Sequence, residues 1–227
     1  MRGAAGAIAV GLSLLCATAA SAQIYVGRDV PRRGSIEAGG GGFWLQRLDL
    51  DPRTAQLSRP TPGQRFDLFT TAGSLDPAAG VRGRVGVFLT SSISVEAGVG
   101  YARPPMSIRI TGDAETGEDT VATQRVSHYV FDGSVLFHLR RAAFAGGRGI
   151  PFFSIGGGHL RELHEGNELV ETGTVYHGTA GVKYWLGSRR RVGLRGEAGF
   201  TSREGGATGP GERRLVPIVS GGISYLF

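Results

Sequence analysis

From residue 34 onward, apolar side chains recur at every second position in segments of about ten residues, the period that sends alternate side chains to opposite faces of a β-strand. In GVRGRVGVFL, Val81, Val85, Val87 and Leu89 share one face, and Arg82 and Arg84 share the other. In SISVEAGVGY, Ile93, Val95, Ala97, Val99 and Tyr101 stand opposite Ser94, Glu96, Gly98 and Gly100. The tight TSS between the two makes them a β-hairpin. The same reading predicts eight strands, near residues 34–45, 80–90, 92–110, 123–139, 151–161, 173–186, 192–202 and 215–227. Residues 46–79, 111–122, 162–172 and 203–214 are long polar connections, whereas 90–92 and 187–191 are short. Long loops at one rim and short turns at the other predict an all-β fold, an eight-stranded antiparallel up-and-down barrel that crosses a membrane. The prolines and polar residues of 46–79 predict an irregular excursion.

A soluble barrel alternates too, so the location of the charge decides. Opposite the apolar set stand Glu37, Arg82, Arg84, Glu96, Asp132, Lys183, Arg195 and Glu197, among serines, threonines and many glycines. Acids and bases balance in this set, and small residues separate them, as the narrow interior of an eight-stranded barrel requires. Charges taken out of water need partners. Glu96 falls diagonal to Arg84, and Lys183 stands opposite Arg195 with Glu197 placed to offset both. Such a lumen is plugged.

The apolar face sorts its aromatics by height. Trp44, Tyr101, Tyr129, Tyr176 and Phe200 fall nearest the long loops, while Leu89, Phe137, Phe153, Tyr184, Tyr225 and Phe227 fall nearest the short turns. Two aromatic belts around an aliphatic band match the two interfaces of a bilayer.

Residues 1–22 carry one Arg, a short apolar run and small residues at Ala20 and Ala22, the pattern of a secretory signal peptide. Residues 23–33 follow as an N-terminal periplasmic segment and 34–227 as the barrel. Cys16, the only cysteine, lies inside the signal, so the mature chain is expected to have no disulfide. The formal net charge is +6, but the arginines are dispersed and no nucleic-acid motif accompanies them, so nucleic acid is not an expected partner. No later stretch is apolar for long enough to form a membrane-spanning helix.

The final strand carries Ser220, Gly222, Tyr225 and Phe227. This polar, glycine, aromatic, aromatic spacing resembles the assembly signal of bacterial outer-membrane proteins. With the eight-segment pattern, the chain resembles the small outer-membrane β-barrels of the OmpA/OmpX-like type. The resemblance implies export through the secretory pathway, a place in the bacterial cell outer membrane, contact with outer-membrane lipid and lipopolysaccharide, dependence on the outer-membrane assembly machinery, and a monomeric state.

The expected function is that of a non-enzymatic barrel with a charge-plugged lumen, serving envelope integrity or surface-loop interactions. One alternative is an outer-membrane lipid-modifying enzyme with a site near the outer leaflet, where His128, His159 and His177 fall. Another is a soluble periplasmic ligand-binding barrel, which would need a roomy apolar interior. No nucleophile motif, cofactor motif or metal-ligand spacing is present, so no catalytic, cofactor or metal residue is assigned.

Overall fold

In the computed structural model the described residues (31–58, 65–112, 119–164, 169–208 and 211–227) form twelve strands in chain order. They are β1 (Ile36–Leu45), β2 (Leu48–Asp49), β3 (Arg53–Ser58), β4 (Arg65–Leu75), β5 (Ala78–Phe88), β6 (Ile93–Ala102), β7 (Pro105–Thr111), β8 (Thr120–His138), β9 (Gly149–His164), β10 (Val170–Leu186), β11 (Val192–Gly205) and β12 (Arg213–Leu226). The expected signal peptide and most of segment 23–33 lie outside the described residues.

Eight of these strands close on themselves. The order runs β1, β5, β6, β8, β9, β10, β11, β12, and β1 pairs antiparallel with both β5 and β12. Closure leaves no sheet edge within the bilayer, where an unpaired backbone group has no partner. Gly41 and Gly222 face each other across the closing seam; a Cβ on either would strike the partner's backbone, so glycine permits the close approach.

The described residues of the connection 46–79 are not the expected irregular excursion. They supply β2, β3 and β4, which with β7 and the upper part of β8 continue the wall beyond the loop rim as a second sheet. The predicted strand 92–110 is accordingly two strands, β6 and β7, separated at Arg103 and Pro104. Prolines interrupt the wall where the barrel becomes this outer sheet, at Pro77 between β4 and β5, at Pro104 between β6 and β7 and at Pro105, which opens β7, because proline cannot donate to a ladder.

The outward face is apolar where lipid would lie: Val81 is 64 % and Ile223 is 59 % exposed. Trp44, Tyr176 and Phe200 are exposed near the loop end, and Phe153, Tyr225 and Phe227 near the turn end. Tyr101 and Tyr129 pack with ring centroids 4.9 Å apart, and Phe137 stacks on Phe153 at 4.7 Å.

Candidate functional site

The lumen is built in three layers. At the turn end Phe88, Ile150, Trp185 and Leu226 form a buried apolar cluster, with Phe152 and Leu136 also buried. These side chains face inward from strands whose outward face is apolar too, and they close the mouth of the barrel.

The eight charges of the alternating set meet in the layer above. Lys183 Nζ donates to Glu37 at 2.8 Å and to Glu96 at 3.1 Å. Arg195 donates to Glu96 and Glu197, both at 2.7 Å. Arg84 donates to Glu197 at 2.6 Å and to the Ser220 hydroxyl at 3.0 Å, and Arg82 pairs with Asp132. Arg84 therefore turns to Glu197 instead of Glu96, and Lys183 to Glu37 and Glu96 instead of Glu197. A lumen this narrow lets long side chains reach strands that are not neighbours in the sheet. Lys183 Nζ also lies 5.6 Å from the Phe88 ring centre, and the Arg195 guanidinium 4.7 Å from that of Phe152, so the charges rest directly on the apolar layer.

Toward the loop end the lumen opens into a cup of about 80 Å³. Phe43, Leu45, Leu48, Leu75, Val130, Val175, Val216 and Ile218 give it apolar walls, while Arg82, Asp132, His177, Thr179 and Glu197 form its floor. The interior is therefore not only glycine, serine and charge. Inward apolar residues escape notice on segments such as VFDGSVLF, where both faces carry them.

The wall beside the cup is incomplete as a ladder. Pairing between β1 and β12 ends at Leu45 and Ile218; beyond it, among the described residues, β2 pairs with β4 and the upper part of β12 with β11. Higher up, the Arg214–Asp51 ion pair bridges the two sides. Between these limits only side chains close the wall, and Leu48 and Val216 there belong to one buried cluster with Leu75, Met106 and Val126. Outward-facing Pro217 borders both the window and the cup and pairs with Phe200 of the loop-end belt. The window thus sits at the height of the lipid interface. A proline immediately beyond the last pair with β1 is the signal in the sequence, since proline favours an edge.

At the loop-end belt, where exposed Arg161 pairs with Tyr129, fully buried Glu162 ties the rim together. It accepts from Arg203 Nη2 at 3.0 and 2.9 Å and from the Ala207 N–H at 2.7 Å, and His128 Nδ1 lies 2.9 Å away. The Arg203 charge and these hydrogen bonds compensate the burial of the carboxylate. Sequence reasoning missed this residue because Glu162 reads as part of a polar loop.

Of the three loop-end histidines, His159 faces outward, while His128 and His177 both line the cup, His128 with its Nδ1 held by Glu162. In the last strand Ser220 faces inward and donates to Glu197 at 2.7 Å, while Tyr225 and Phe227 face outward and pack edge to face at 4.9 Å. The Phe227 N–H donates to the Ile36 carbonyl at 2.8 Å.

No protein-family model matches the chain, and no curated protein matches it. Among solved structures it is similar to the outer membrane protein OprG from Pseudomonas aeruginosa, with a TM-score of 0.54 at 12 % identity over 86 % of this chain and 97 % of that one. It is also similar to Ail, the attachment invasion locus protein of Yersinia pestis, in complex with the heparin analogue sucrose octasulfate, with a TM-score of 0.45 at 11 % identity over 86 % of this chain and 99 % of that one. The likeness to OprG is one of fold, that of a small outer-membrane barrel.

Proposed function

We propose that this eight-stranded outer-membrane barrel is a non-enzymatic protein, plugged along its axis, that takes a small apolar molecule into its outer cup and exchanges it with the outer leaflet through the window between β2 and β12. The observation that carries this reading is the pairing of a sealed turn end with an apolar cup whose side wall is closed by side chains alone. An axial pore is opposed by two stacked barriers, whereas opening the window breaks no backbone hydrogen bond between β2 and β12. The cup is about half the ~150 Å³ that accommodates benzene, so it favours the end of a linear chain over a ring. The non-enzymatic assignment is supported at Ser94 and His138: their 3.0 Å hydrogen bond lies at the turn end, far from the outer leaflet.

In this reading residues 1–22 direct secretory export, the last strand is recognised by the assembly machinery, and the monomer is surrounded by lipid and lipopolysaccharide. In a deletion strain, wild-type protein should speed the entry of a small linear hydrocarbon. Val175→Trp, which fills the cup, should abolish the gain at equal levels of folded barrel. Equal entry with both proteins would overturn the proposal. A second reading, interaction through the surface loops, is favoured by the outer hairpin, in which β3 pairs with β4 alone among the described residues. Removing that hairpin should then abolish surface binding without changing hydrocarbon entry.

A further inference from the structure

We infer that the cup selects an uncharged molecule with a linear apolar body and one neutral polar end group, and that His177 is the residue that recognises this group. The inference rests on the cup as the binding site and specifies what it binds.

His177 projects from β10 to the level where the cup meets the charge layer, and it lines both the cup and the small polar cavity beneath. Its neighbours on the floor are held by one another, with Arg82 Nε alone among their polar atoms buried without a partner in the described residues. Arg82 holds Asp132, Arg84 holds Glu197, and the Thr179 hydroxyl lies 2.7 Å from that of Ser154. Among the described residues the His177 ring makes no hydrogen bond to the protein. Its place is nevertheless specified: a Cβ at Gly156 would lie 2.6 Å from His177 Nε2, so the ring occupies space that only glycine leaves free. A neutral imidazole offers one donor and one acceptor, and a hydroxyl can complement either.

Charge bookkeeping argues against an ionic end group. Arg82, Arg84, Lys183 and Arg195 contribute four positive charges, and Glu37, Glu96, Asp132 and Glu197 contribute four negative ones, so the network sums to zero, each member paired within it. A carboxylate or ammonium on the ligand would find no spare counter-charge and would lose its hydration on entering. A hydroxyl loses far less, and one hydrogen bond to His177 offsets much of that loss.

The test uses the full mature protein in phosphatidylcholine nanodiscs, with hexane, 1-hexanol, hexanoate and hexylammonium as probes and empty nanodiscs as the partition control. Wild type should bind 1-hexanol about three- to tenfold more tightly than hexane, the range expected of one hydrogen bond, and 1-hexanol should shift the His177 ring nitrogen resonances. In His177→Phe the hexanol-to-hexane affinity ratio should fall to about one. His177→Gln, which keeps a donor and an acceptor, should retain most of the preference. Folding of each variant is checked by heat-dependent gel mobility. Hexane binding without a preference for hexanol, or a preference that survives in His177→Phe, would overturn the role of His177 and leave the cup standing. Tighter binding of hexanoate or hexylammonium would overturn the neutral end group. If neither hexane nor hexanol binds, the cup itself is not the site.

Discussion

Lys183 on β10 lies 2.8 Å from Glu37 on β1, and these two strands are separated in the barrel wall by β11 and β12. The contact is a strut across the lumen. Lys183→Met should leave Glu37 buried without a counter-charge and destabilise the barrel by about 3–5 kcal/mol. Adding Glu37→Gln should recover much of that loss, since the carboxylate and its unmet charge then disappear together. Urea unfolding in lipid vesicles, followed by gel mobility, reads both variants. A double variant no more stable than Lys183→Met would show that the strut is not a paired unit.

The seal at the turn end should matter more for conductance than the charges above it. Small polar cavities of about 20 and 10 Å³ lie within the charge layer, large enough for single waters, whereas Phe88 and Trp185 below are almost wholly buried. Phe88→Ala with Trp185→Ala should produce ion-conducting steps in planar bilayers, and wild type should show none. Each truncation also costs about 3–5 kcal/mol of packing, so folded protein must be selected first. Silence from the folded double variant would return the barrier to the charge layer.

The alternation of Val81, Val85 and Val87 with Arg82 and Arg84 makes the barrel legible, because only one face of that segment is apolar. Where both faces are apolar, as at Phe152 and Phe153 in PFFS, periodicity cannot say which ring fills the lumen, and the seal and the cup walls stay hidden. The ion-pair partners are hidden for another reason. Arg84 and Glu197 are 113 residues apart and meet only because the closed wall curves them together, whereas hairpin logic pairs neighbours. The outer sheet is obscured by prolines such as Pro52 and Pro77, which mark the ends of its strands and not their absence.

Glu162 should hold the loop rim through its hydrogen bonds. It accepts from the Ala207 N–H at 2.7 Å and from Arg203, and a buried charged acceptor is costly to replace. In Glu162→Gln, hydrogen exchange at residues 206–208 should accelerate, because the neutral amide cannot serve Arg203 and the Ala207 N–H together as the carboxylate does. Unaltered protection in the variant would mean that the carboxylate does not hold the rim.

The assignment of lumen and lipid faces depends on register, and β6 offers the cleanest test. Val95 and Val99 are exposed on the outer wall, while Ser94 is buried and Glu96 is engaged by Lys183 and Arg195. Val99 pairs with Gly83 and Phe131, well inside the belts, so Val99→Arg sets a charge against hydrocarbon. The expected cost is up to about 2–4 kcal/mol near the midplane. Single cysteines introduced at 95, 97 and 99 should react with a lipid-phase reagent, and those at 94, 96 and 98 should not. Because side chains alternate with a period of two, a slip of one residue exchanges the two sets completely. Labelling of the even-numbered positions from lipid would place Glu96 and its partners against the membrane, and the cup, the strut and the seal would fall together.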